Sequence, residues 1–284
     1  MIEQVRMRLD DVNAPAAHRQ EGLAAHIGRA SLALFDLLIG HLNFLGEVLT
    51  QLVRLLFVPK MLRLRELTAQ FEQVCLNAVP VVSLVTLLIG VVVAYLLGLQ
   101  AEKYGANIFV VDGVGIGATR EFAPIIVAVI VAGRSGAAFT AQLGSMRLNE
   151  ETDAIRTLGL SPMSVLVLPR VLALMAAMPL LVFAGDVMSL FGAMLIAGPM
   201  LDITPPTFLG RLQENLEVRH VYVGLAKAPV FALFISVIGC RMGMTVQRDT
   251  RALGIATTST VVQSIVAVIL LDAFFAVLFQ ELDI

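Results

Sequence analysis

Charge is scarce in this sequence. Asp, Glu, Lys and Arg make up 15% of its 284 residues, against about 25% in soluble domains. That shortage excludes a soluble enzyme and a disordered chain. The formal charge of −2 argues against nucleic acid as a partner. Cysteine is nearly absent: Cys75 and Cys240 lie in or beside apolar runs. They form neither a disulfide framework nor zinc spacing, and read as small buried apolar groups. No GxxxxGK[ST] segment occurs, so the chain is not expected to cradle ATP phosphates itself. No HExxH occurs, and His18, His26, His41 and His220 are scattered. No metal site and no catalytic constellation is expected. The N-terminal MIEQVRMRLDD has no apolar run behind its basic residues. It is read as a cytoplasmic leader, not a signal peptide.

What the sequence has in abundance is apolar length. Hydrophobic residues make up 58%, against about 45–50% in soluble domains even with glycine counted, and mean hydropathy is +0.86. Length alone suggests about two soluble domains, but this composition predicts one membrane domain. A bilayer core needs about 20 helical residues. Residues 73–101, 122–146, 171–201, 221–240 and 252–280 meet that length, which predicts five spans. Ahead of them, Asp36, Gly40, Asn43, Glu47, Gln51 and Arg54 recur at helical spacing between Leu, Phe, Val and Ile. A polar stripe along the whole length predicts an amphipathic helix lying in the membrane interface and ended by Pro59. The expected organisation is a polar leader over 1–30, an interfacial helix over 31–58 and a five-span domain over 59–284. No internal repeat is visible, which counts against inverted-repeat transporters.

Basic residues orient the spans. Arg54, Lys60, Arg63 and Arg65, then Arg147 and Arg156, then Arg241, Arg248 and Arg251 fall on one side. On the other, Lys103, Arg120, Arg211 and Arg219 are balanced by acidic residues. The first side is read as cytoplasmic. The N-terminus is then inside and the C-terminus outside.

Within the spans, Arg134, Asp186, Lys227 and Asp272 must face the bundle interior or pair, because a charge at the bilayer centre costs about 2.5–3.5 kcal/mol. They are read as an intramembrane polar network whose pairing the sequence leaves open. Gly136, Thr140 and Gly144 recur every fourth residue. They predict a small face for close helix approach, within the chain or between subunits. Residues 108–118, IFVVDGVGIGA, carry a superficial dinucleotide fingerprint but lack its βαβ context, and are read as a flexible outer loop.

The connection MRLNEETDAIRTLGLSP is the most specific segment. Asn149 is expected to cap a short helix. Glu150, Glu151 and Asp153 would fill its first turn, and Gly159 and Pro162 would end it. Glu151, Ile155 and Leu158 would share a face, with Ala154 beside them. A helix this short is unstable alone, so it needs its own bundle, the membrane surface or a partner's groove.

Residues 117–162, GATREFAPIIVAVIVAGRSGAAFTAQLGSMRLNEETDAIRTLGLSP, resemble the permease subunit of the MlaE family, whose members belong to bacterial ABC transporters of phospholipids. The likeness extends to TTSTVVQSIVAVILLD at 257–272 and covers roughly residues 70–280. One departure is Glu150-Glu151-Thr152, where the family usually carries Glu-Gln and a hydrophobic residue.

The resemblance implies an all-α permease in the bacterial inner membrane. Its coupling helix of Glu150, Glu151, Asp153, Ala154, Ile155 and Leu158 would dock into a cytosolic ABC ATPase. ATP and Mg would be bound by that partner, so the chain itself would be no enzyme. A homodimer is implied, with a periplasmic MCE-domain protein as partner and room for a small STAS-type accessory protein. Phospholipid would be held by Tyr95, Leu96, Leu99, Gln100, Arg120 and Glu121. An alternative is a proton-coupled carrier using Asp186 and Asp272. A third is a lipid-modifying enzyme around Arg120 and Glu121.

Overall fold

The computed structural model describes residues 23–58 and 64–282. Every regular element among them is a helix. Six segments are long and apolar enough to cross a membrane: Ile27–Leu55, Leu64–Glu102, Phe109–Leu148, Met163–Leu201, Val218–Thr245 and Thr250–Glu281. The protein is an all-α, multi-pass membrane protein. Its chain divides into two compact units, Met1–Asn43 and Phe44–Ile284.

In the first unit, helix α1 (Leu23–Phe57) begins ahead of Ser31. Leu32, Phe35, Leu38 and Leu42 are exposed. The leader up to residue 22 lies outside the described residues, as does Pro59. α1 is the helix that the sequence reading lays in the interface. By length and composition it could also cross.

In the second unit the rear of α1 contributes buried Val48 to the core, with Phe44, Leu45 and Leu52 against it. Helices α2 (Leu64–Cys75) and α3 (Val79–Glu102) follow, separated by a short turn and a proline at the start of α3. α3 packs along α8 (Leu168–Leu201). Two glycines set that approach. A Cβ at Gly90 would stand 2.0 Å from the Ser189 carbonyl oxygen, and one at Gly192 would stand 2.1 Å from that of Leu87. Only glycine admits backbones this close.

The next span is a rod of α4 (Phe109–Gly117), α5 (Ala123–Val131) and α6 (Ala137–Leu148). Two π turns, Ala118–Phe122 and Ala132–Gly136, join its parts. The outer loop expected over residues 108–118 is therefore helix from Phe109. Valine and glycine are weak helix formers in isolation, but Val110, Val111 and Val114 are buried here. They form an apolar cluster with Ala94, Ala193, Ala197 and Phe208, and tertiary packing overrides propensity.

A short helix α7 (Glu151–Thr157) and a third π turn (Met163–Val167) lead into α8. Helix α9 (Pro205–Asn215) precedes α10 (Val218–Thr245) and α11 (Thr250–Glu281). α9 is held to α4 by Arg211, which meets both oxygens of Asp112 at 3.0 and 2.6 Å. The small face on α6 packs within the chain. Thr140 Oγ1 donates to the Gly239 carbonyl at 2.9 Å and pairs with Thr260 Oγ1 at 2.8 Å. A Cβ at Gly144 would press on Leu253 of α11.

Candidate functional site: a buried lysine hub and a short connecting helix

Lys227 is the centre of the intramembrane charge. It sits on α10 and is fully buried. Its Nζ donates to Glu121 Oε2 at 2.6 Å and to Asp272 Oδ1 of α11 at 3.1 Å. It donates a third bond to the Arg120 carbonyl at 3.2 Å. Pro124 has no N–H to give that carbonyl four residues back. Gly224, one turn before Lys227, lets α10 approach, since a Cβ there would stand 2.1 Å from the Thr119 carbonyl oxygen. An ammonium in the interior is tolerable only when its donors are used and its charge is balanced. Lys227 has all three donors engaged and two carboxylates beside it.

The other two charges expected in the network stand apart. Asp186 is buried on α8, and neither of its oxygens has a hydrogen-bond partner among the described residues. Of the two neutralising cations open to it on sequence grounds, Lys227 and Arg134, the first is taken by Glu121 and Asp272. Arg134 is exposed on the second π turn and makes no ion pair among the described residues. The network is corrected accordingly: it joins Lys227 and Asp272, gains Glu121, and leaves out Asp186 and Arg134. No hydrogen bond among the described residues links Asp186 to Asp272.

Arg120 and Glu121 share the first π turn. The Arg120 guanidinium lies 3.7 Å from Glu121 Oε1 and 3.4 Å from His220 Nδ1. Tyr95, Leu96, Leu99 and Gln100 are all exposed near the end of α3, while Ala94 and Gly98 of the same turns are buried. No polar contact among the described residues joins them to Arg120 or Glu121. An open apolar cleft of about 470 Å³ lies between the start of α10 and the end of α11, lined by Val218, Arg219, Tyr222, Val223, Ala226 and Phe279. Nothing in the sequence pattern pointed to it.

At the connection between α6 and α8, Asn149 does not cap α7. It closes α6, and Glu150 takes the capping position in the left-handed region at φ 61°. Asn149 Nδ2 instead donates to Glu151 Oε1 at 3.4 Å. α7 is seven residues long. Thr152 is buried and Ile155 packs on the core, while Glu151, Ala154 and Leu158 are exposed, Leu158 by 75%. The expected face is thus split: Ile155 turns toward the bundle and Glu151, Ala154 and Leu158 point away. Arg248, just before α11, holds Glu150 Oε1 at 2.9 Å and Asp153 Oδ2 at 2.5 Å.

The model for the family described as Permease MlaE matches residues 67–278. That range contains the lysine hub, the exposed end of α3 and α7. This chain belongs to the MlaE permease family. Among its relatives is a probable ABC transporter permease protein of Rickettsia prowazekii, 34% identical over 72% of this chain and 78% of the relative. A probable ABC transporter permease protein of Synechocystis is 32% identical over 66% of this chain and 72% of the relative. The Arabidopsis thaliana chloroplastic protein trigalactosyldiacylglycerol 1 is 31% identical over 61% of this chain and 49% of the relative. An MlaE-family permease is a transport subunit.

Proposed function

We propose that this permease is the membrane subunit of an ABC transporter that moves phospholipid between the bacterial inner membrane and a periplasmic MCE-type carrier. Two copies form a homodimer. Two cytosolic ATPases bind ATP and Mg, and α7 of each copy docks into one of them. α1 lies in the cytoplasmic interface, where its polar stripe meets headgroups. The N-terminus is cytoplasmic and the C-terminus periplasmic. A small STAS-type protein can join the ATPase side. In this reading the exposed Tyr95, Leu96, Leu99 and Gln100 line the lipid path. Arg120 offers its guanidinium to the phosphate, with Glu121 beside it.

The observation that carries the reading is the outward face of α7. A helix of this length does not persist unaided, and its body side is already anchored by Thr152 and Ile155. Its other side leaves Glu151, Ala154 and Leu158 bare at the end of a span, which suits a groove in a partner. The relatives named as ABC transporter permeases support an ATPase as that partner. The relative bearing the name of a galactolipid supports a lipid as cargo.

Charge reversal tests the docking. Glu151→Lys weakens ATPase co-purification by roughly tenfold or more, the scale of reversing one interfacial charge. Undiminished co-purification would place the ATPase elsewhere. The carrier reading predicts something different: transport without an ATPase, lost in Asp272→Asn.

A further inference from the structure

We propose that Arg248 is a positioning residue that locks α7 to the head of α11, so that movement of α7 is delivered to the Lys227–Asp272 pair. The proposal rests on the coupling role given to α7 above. One guanidinium spans Glu150 and Asp153, at 2.9 and 2.5 Å. The next residue, Asp249, accepts from the Ala252 N–H and so caps α11. The clamp and the cap are therefore adjacent in the chain. α11 then runs unbroken to Asp272, which meets Lys227.

A lone exposed ion pair contributes little. Arg248 differs in three ways. It carries two charge-assisted bonds at once. It acts on a helix of seven residues, too short to hold itself. It also grips Glu150, one of only two non-glycine residues at positive φ among the described residues. Such strain persists only where the surroundings over-determine it. Arg147 of α6 supplies a second tie nearby, donating to the Met244 carbonyl of α10. That bond keeps the ends of α6 and α10 together; α7 itself rests on the core through Thr152 and Ile155, and Arg248 is its ionic tie to the head of α11.

The physical lock and its consequence are tested separately in the assembled transporter. Thr157, at the end of α7 and outside its docking face, and Thr250 are exposed, and the native Cys75 and Cys240 are buried, so cysteines at 157 and 250 take spin labels selectively. A narrow distance distribution is expected. Arg248→Ala broadens it, and the conservative Arg248→Lys, which keeps the charge, leaves it narrower than Arg248→Ala does. A distribution still narrow in Arg248→Ala overturns the lock.

In proteoliposomes, Arg248→Ala retains the ATPase and its ATP hydrolysis. Phospholipid moved per ATP falls at least about fivefold, the lower end of coupling between sites. Arg248→Lys recovers part of it. An unchanged ratio overturns the transmission even if the distance broadens. A wild-type complex that binds no ATPase would instead refute the proposed function, while the spin-label result still decides the lock.

Discussion

At the residue scale, Lys227 shows how much of the site depends on partners far apart in sequence. Each of its bonds crosses between segments, to Arg120, Glu121 and Asp272. The sequence makes a buried cation there legible, because a lone lysine in an apolar run has to pair. It does not reveal Glu121 as the nearer partner. The π turn over Ala118–Phe122 alters the helical phase locally, so i, i+4 reasoning through this stretch points side chains the wrong way. The same limit hides Arg248, which reads as one more basic residue on the cytoplasmic side. Lys227→Met leaves two carboxylates facing each other without their cation. It costs about 3–5 kcal/mol, read as a large fall in thermal midpoint in detergent. The double variant Lys227→Met/Asp272→Leu recovers part of that loss. A single variant as stable as wild type would mean that water, not Lys227, satisfies the carboxylates.

At the scale of elements, spans are legible from apolar length, and the small face of α6 from its spacing of four. The α4 segment was not, because Val and Gly favour helix only where packing compensates. The start of α7 also escaped: a good capping residue, Asn149, was available, yet the chain ends α6 there and begins α7 after a left-handed Glu150. Local propensity cannot rank two adjacent helix ends that tertiary contacts decide. Glycine substitutions test the close approach of α3 and α8. Gly90→Ala drives a Cβ into the Ser189 carbonyl, whereas Gly46→Ala of α1 meets nothing within 4 Å. The first lowers thermal stability clearly, since backbone must move. The second leaves it unchanged or raises it by up to about 1 kcal/mol. Equal effects from the two would mean that the packing of α3 on α8 is looser than described.

At the scale of the whole molecule, the features divide by end. The basic connection with α7 and Arg248 lies at one end of the bundle. Arg120, His220, the apolar cleft and the exposed end of α3 belong to segments assigned to the other. α10 and α11 run between them and meet at Lys227. If the outer end of α3 lines a lipid path, Leu99→Arg places a charge among Tyr95, Leu96 and Gln100. Phospholipid retained through purification then falls severalfold, because a buried unpaired charge is strongly disfavoured. Full retention would move the path away from α3.

The central claim is that this MlaE-family permease works with an ATPase on a phospholipid. Its most direct test is mass spectrometry of the tagged protein purified in mild detergent from its native membrane. The account predicts an ABC ATPase at a fixed ratio to the permease, with phospholipid retained. A permease that emerges intact, without any ATPase and without lipid, would contradict it.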